Sequence, residues 1–510
     1  MKLEEYMPDT LKPITRLCLS ALLAAGTAQA MAEGNVIDKS LALRLPDLSF
    51  RAAACASPAL RSYLDAPTLS EITLFGQSAP ASVAKIPQIG SGGRMFGLEA
   101  STFQRITGND ALWGRAAYKN GRKYGVVWNE TSDFADLYPY VMADGRGGDM
   151  KYEQYELEGG YSMRHKRINY GVEVGYRALS EYRDRDPRPN NTVADLHARL
   201  GFGYTLGHFA TLALSANAGK YKQTNELAYF NELGAQKEYH ITGIGNDFAR
   251  FSGASNNTFY KGHSYGASLD FIQRGGRGLS ASVFYLFSKK EKTLSDLNRL
   301  TLNELRINKI GGSVSLVKEA YGIRAQGSHA SRKGKDNLFG DPTGSVYPQI
   351  GSQEQYDGSE SLVRIDGFWQ SRAQRIWPWS IEPMVCYAAM HSRHNSSGNT
   401  LNTDDIVFGL TGKGFWHKGS NLIGAKAGVY RRTNISTAFT LNNVAEESLG
   451  RALKHINEYF GKGETSINIG LSYDRAVFGN KAVSAELTWR HDFYLESESN
   501  EYELRITFKI

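Results

Sequence analysis

The stretch GSHASRKGKDN (327–337) sets His329 and Ser331 two residues apart, so in an extended chain both side chains share one face. A base beside a serine can activate it toward an acyl ester, which would make this pair a nucleophilic centre at a membrane surface. No orienting carboxylate is identifiable, and the plainer reading is two solvated residues at a loop edge. The run HSRH (391–394) holds two histidines. On a strand, residues three apart point to opposite faces, so no metal site is expected. GSGG (90–93) lacks the lysine of a phosphate-binding loop and reads as a flexible joint. None of these motifs calls for a cofactor.

A larger set of charges follows a period of two. In INYGVEVGYRALSEYR (168–183), one face carries Ile168, Tyr170, Val172, Val174, Tyr176, Ala178 and Tyr182, and the other Asn169, Glu173, Arg177, Glu181 and Arg183. AVSAELTWRHDF (482–493) repeats the pattern, with Glu486, Arg490 and Asp492 opposite Val483, Leu487 and Trp489. The chain ends NEYELRITFKI, where Tyr502, Leu504, Ile506, Phe508 and Ile510 alternate with Glu501, Glu503, Arg505, Thr507 and Lys509. Alternation of this length specifies strands rather than helices. Strands longer than ten residues suit a bilayer crossing, and in lipid they must close into a barrel to satisfy their backbone groups.

The elements that position these faces follow from the rest of the sequence. The chain has 510 residues, 53 of them glycine and only 14 proline. Its mean hydropathy of −0.40 excludes a helical membrane protein. The 59 cations and 52 anions are interspersed, so a nucleic-acid partner is not expected. Residues 14–30, ITRLCLSALLAAGTAQA, read as a secretory signal cleaved after Ala30, giving a signal peptide over 1–30. Cys55 and Cys386 then stand as isolated thiols.

Working back from the C-terminus, short connections alternate with long ones at 441–464, 393–402, 334–355, 292–305, 227–258, 184–191 and 132–149. This is the loop asymmetry of an all-β transmembrane antiparallel barrel, with short periplasmic turns and long extracellular loops. The spacing predicts about 18 strands over 94–510, beginning with 94–106 and a hairpin of 111–119 and 122–131; the alternative count is 16. Residues 31–93 read as a periplasmic or lumen-inserted segment. Trp369, Trp377, Trp379 and Trp416 sit near short turns, as in an interfacial girdle. Glu173, Arg177, Glu181, Glu486, Arg490, Asp492, Glu503 and Arg505 are expected to line the lumen, bracing the wall or tuning a pore. In 441–464, Val444, Leu449, Ala452, Leu453, Ile456 and Phe460 fall at helical spacing after Asn443, a candidate cap.

The run WGRAAYKNGRKYGVVWNETSDFADLYPYVMADGRGGD, with GGYS (159–162) and DPRPNN (186–191), resembles a Bacteroidota outer-membrane barrel family known only as a domain of unknown function. The resemblance implies a Gram-negative outer-membrane location, a gene encoded near energy-coupled uptake systems, and no catalytic residue. The expected function is solute passage or an accessory role in nutrient uptake. One alternative is a membrane-embedded lipid hydrolase, since barrel-borne lipases use a His-x-Ser that His329 and Ser331 resemble. Another is a plugged barrel acting in surface interactions. Expected partners are outer-membrane lipid, the assembly machinery through the C-terminal strand, and an uptake-system protein through 441–464.

Overall fold

The computed structural model describes residues 35–510 except 208, 232–236, 254–256, 274–275, 345, 374, 478–479 and 495–496. The signal segment proposed over 1–30 therefore lies outside the described residues. Eighteen strands form the wall. They are β1 (Leu69–Ala79), β2 (Gly92–Gln104), β3 (Asp110–Val126), β4 (Gly148–His165), β5 (Ile168–Tyr182) and β6 (Arg188–Leu206). Next come β7 (Ala210–Ala228), β8 (Thr258–Gln273), β9 (Gly278–Leu294), β10 (Leu300–Val317), β11 (Tyr321–Phe339) and β12 (Gln349–Gln370). The last six are β13 (Trp379–His394), β14 (Thr400–Lys418), β15 (Asn421–Thr440), β16 (Glu464–Ala476), β17 (Ala482–Tyr494) and β18 (Ser497–Lys509). Each pairs antiparallel with its sequence neighbours, and β1 closes the ring against β18, Ile72 opposite Phe508 and Leu74 opposite Ile506.

Closure leaves no strand edge, and the outward face is apolar. Leu200, Leu214, Tyr265, Val283, Ile310, Ile323, Val363, Phe408, Leu471, Leu504 and Ile506 are all exposed. In water such a surface would aggregate; against hydrocarbon it is the favourable one. The chain is an outer-membrane barrel with long loops at the extracellular end. Among the described residues no helix is long and apolar enough to cross a membrane.

The strand count matches the sequence expectation, but two assignments differ. Residues 110–126 form one strand, not a hairpin turning at NGR (120–122). Gly121 stays in the ladder between Met95 and Tyr152. A Cβ there would lie 2.6 Å from the Tyr152 ring and 2.8 Å from the Arg94 carbonyl, so close packing explains this glycine. The missing strand is β1, so the wall starts at Leu69 rather than 94 and residues 107–110 lie at a periplasmic turn. Ile72 and Leu74 face out, but Phe75 on the lumen side and Gly76 on the lipid side blur the alternation.

Before β1, helix α1 (Val36–Arg44) starts on Asn35, whose side chain accepts from the Ile37 amide. Helix α2 (Pro46–Ala54) opens with proline at its first position, where no amide partner is lost. A 3₁₀ turn follows at Pro58–Tyr63. These elements sit inside the periplasmic end of the barrel. Val36, Ile37, Leu41 and Leu45 pack on Leu69, Phe415, Leu422 and Ala482; Leu48, Cys55, Ala59 and Leu60 pack on Ala213 and Ile272.

Candidate functional site: a lumen capped at both ends

The inner plug is fastened to the wall by polar contacts that the alternating sequence places on the lumen face. Arg44 reaches Asp474 at 3.0 Å and Glu486 at 3.1 Å. Asp474 is fully buried and also takes Lys509 at 2.7 Å. Tyr63 donates to Asn169 at 3.0 Å, and Phe50 meets Phe368 edge-on with centroids 4.8 Å apart. Burial pushes the Cys55 thiol up to about 12, which leaves it inert; Cys55 and Cys386 are both free.

The extracellular end carries a second closure. Loops 127–147, 237–253 and 441–463 fold inward around one apolar core that includes Trp128, Val141, Tyr239, Ile241, Ile244, Leu449, Leu453 and Ile456. Helix α3 (Glu447–Gly461) supplies the last three. It begins later than the sequence suggested, so Asn443 does not cap it; the Asn443 carbonyl accepts from Asn399 instead. Trp128 and Tyr239 meet edge-on at 5.2 Å. Beneath lies a buried charge cluster: Arg183 donates to Glu130 at 3.0 Å and Asp144 at 2.7 Å, all three inaccessible. Burial and the nearby Glu238 carboxylate hold Glu130 well above the usual carboxylate range, and burial raises Glu238 too.

The charged residues that the sequence reading assigned to the lumen are paired. Glu173 accepts from Trp113 at 3.2 Å and Arg199 at 3.3 Å. Arg177 forks onto Asp133 of the cap at 3.0 and 2.6 Å. Glu181 takes Lys123 and Ser132, both at 2.5 Å. Arg490 meets Asp492 at 2.8 Å, Asp492 takes Lys85 at 2.7 Å, and Arg505 meets Glu503 at 2.9 Å. Several further groups escaped notice in the sequence. Arg115 joins Glu99 and Glu156, and Lys85 also reaches Glu464, both inside the lumen. Strand parity alone would have found Arg115; Lys85 sits on a loop and leaves no such signal.

Between the closures the lumen face is small and polar, with Asn217, Ser264, Ser268, Ser282, Ser313, Gln326, Ser328 and Asn468. Cavities persist beneath the outer cap. One of about 440 Å³ is bordered by Asp195, Lys290, Lys309, Arg332 and Glu360. Another, of about 390 Å³, is bordered by Tyr430, Arg432, Glu464 and Arg490.

The four tryptophans expected in the girdle gather in one sector. Trp369 packs on Trp379 at 5.1 Å and Trp377 on Trp416 at 6.5 Å, all around the turn between β12 and β13. His329 lies mid-strand on the lipid face, not at a loop edge, and its Nδ1 bonds Ser361 at 2.9 Å on the neighbouring strand. Among the described residues no group of His, Cys, Asp or Glu could hold a metal ion.

The match that decides the family runs from Pro58, the start of the 3₁₀ turn, to the last residue. The chain belongs to DUF6850, a family of unknown function. No curated protein matches it by sequence. Its fold is similar to that of the ferric preacinetobactin receptor BauA of Acinetobacter baumannii, at 8% identity and a TM-score of 0.40, covering 87% of this chain and 80% of that one. The ferric enterobactin receptor PfeA of Pseudomonas aeruginosa gives 8% identity and 0.36, over 86% and 80% of the two chains. The outer-membrane transporter YddB of Escherichia coli gives 7% and 0.37, over 86% and 81%. At these values the likeness bears on neither substrate nor mechanism.

Proposed function

We propose that this DUF6850 barrel is the closed state of a gated passage for a small hydrophilic solute. One observation carries the reading: the chain folds segments into its own lumen at both ends yet leaves polar cavities of about 440 and 390 Å³ beneath the outer one. A barrel serving only as an anchor has no use for solvated space lined by both signs of charge, whereas a pathway needs it. Within this reading the protein contributes to nutrient uptake in a Gram-negative cell, and the Bacteroidota affinity suggested by its motifs fits that setting. A partner at 441–464 would meet the outward side of α3, at Glu447, Arg451 and Lys454, since the apolar stripe is used in the cap.

The test is conductance and solute entry in reconstituted bilayers. The intact protein should show low resting conductance with rare openings, and removing both 36–63 and 442–460 should give a stable open channel. If the intact protein admits no small solute and its doubly trimmed form still does not conduct, the passage reading fails. The large apolar core of the outer cap would then favour the second reading, a plugged barrel presenting a fixed surface.

A further inference from the structure

On the outward face near the extracellular end, five basic side chains stand shoulder to shoulder. Lys220 of β7 is opposite His263 of β8, His263 opposite Lys289 of β9, Lys289 opposite Arg306 of β10, and Arg306 opposite Lys333 of β11. The next outward row runs Lys222, Lys261, Glu291, Glu304 and Lys335. Strand parity puts these ten on the face of the exposed Leu214, Tyr265, Tyr285, Ile310 and Ile323. Glu291 takes Lys261 and Lys289, each at 2.9 Å; Glu304 takes Lys289 at 2.6 Å and Arg306 at 2.5 Å. Lys220, Lys222 and Lys335 make no ion pair among the described residues. Lys333 reaches Glu354 only at 3.7 Å and stands opposite Asp357, which bounds the patch.

Like charges directly opposite one another destabilise a sheet, and Glu291 and Glu304 offset only the Lys289 and Arg306 part of this row. Its position explains it. From Leu279 to Lys289 is about 33 Å of strand, or about 25 Å of height after tilt, the thickness of the apolar band. The cations therefore lie at outer-leaflet headgroup level. Just below them come Tyr265 and Phe287, then Tyr285 and Ile310. Five strands span roughly 19 Å, too wide for a single phosphate. A shorter row, Arg94–Arg122–Lys151, is largely satisfied by Asp149 and Asp184.

We infer that the β7–β11 patch binds the multiply phosphorylated headgroup of an outer-leaflet glycolipid of the lipid A class, with acyl chains on Tyr265, Phe287, Tyr285 and Ile310. A soluble partner would leave the apolar surface below unused. The full chain in detergent is titrated, by native mass spectrometry, with bis-phosphorylated lipid A, the same lipid stripped of phosphate, and phosphatidylglycerol. Each cation at an anionic headgroup is worth about fivefold in affinity, so K220Q/K222Q/K335Q should weaken the bis-phosphorylated lipid about a hundredfold. Lys318→Gln, at a periplasmic turn, should leave it unchanged. Equal binding of the phosphate-free lipid or of phosphatidylglycerol, or an unaffected triple variant, overturns the assignment. If the triple variant does not assemble, K220Q and K335Q singly make the same comparison, each with about a fivefold loss expected.

Discussion

Gly171 of β5 lies directly against Pro58 of the inner plug: a Cβ on Gly171 would come within 2.2 Å of the Pro58 carbonyl oxygen. Gly201 on β6 makes the same allowance, its Cβ position 2.7 Å from the Ala59 amide nitrogen. The wall is thus recessed where the 3₁₀ turn enters. Gly171→Val should push the plug out while leaving the barrel closed, at a cost of about 1–3 kcal/mol. Faster proteolysis within 36–63 and more frequent channel openings would show it; unchanged protease resistance would contradict the recess.

Arg44 ties α1 to β16 and β17 through Asp474 and Glu486. Arg44→Ala leaves Asp474 with Lys509 alone, so the buried carboxylate keeps one cation. The loss of two charge-assisted contacts should loosen the plug by about 1.5–3 kcal/mol. Because the wall keeps its ladder, hydrogen exchange should quicken in 36–63 and not in β16 or β17. Equal quickening in both would mean that the ion pairs brace the barrel instead.

His329 and Ser331 allow a sharp exclusion. On the lipid face His329 bonds Ser361, so a Ser331 nucleophile would have no aligned base. Ser331→Ala should leave any background ester hydrolysis unchanged, measured on short-chain and phospholipid substrates. A hydrolysis rate abolished by that substitution would revive the lipase reading.

The wall was legible because lipid imposes strict alternation on one face. The errors arose where other forces shape the chain. β1 was hidden by Phe75, which points inward to the lumen beside Arg505, and by Gly76 on the lipid side. β3 was split because Asn120-Gly121 spells a hairpin turn, although its neighbours on both sides hold it extended. These two errors cancelled in the strand count. The closures were illegible for a different reason. Their contacts join residues hundreds of positions apart, such as Lys85 with Asp492, with no periodicity to betray them.

Helix α3 holds the outer cap through Leu449, Leu453 and Ile456, all buried. Leu453→Glu would bury a charge among Ile244, Tyr239 and Trp128 and should detach the helix from the mouth. The expected result is a rise in conductance that approaches the 442–460 deletion, with the closed barrel retained. Unaltered conductance would place the seal in the other two loops.

The buried Arg183 cluster makes the outer cap sensitive to pH. Glu130 and Glu238 bind protons more tightly folded than unfolded, because burial penalises their charged forms. For an acid whose folded value is raised, the stabilisation is complete below the ordinary carboxylate value of about 4.3 and is lost as pH climbs through the raised one. The contribution of this cluster to the cap should therefore be greatest in acid and fade toward neutral and alkaline pH, the reverse of Asp133, whose carboxyl the Arg177 ion pair holds below the usual range. Fluorescence of Trp128, packed on Tyr239 in the cap core, can report this once the other tryptophans are replaced by phenylalanine. Glu238→Gln removes one of the competing charges, so Glu130 should then ionise more easily beside Arg183 and the pH dependence should flatten. A cap that tightens as pH rises, or a Glu238→Gln profile identical to the parent, would show that the cluster does not govern closure.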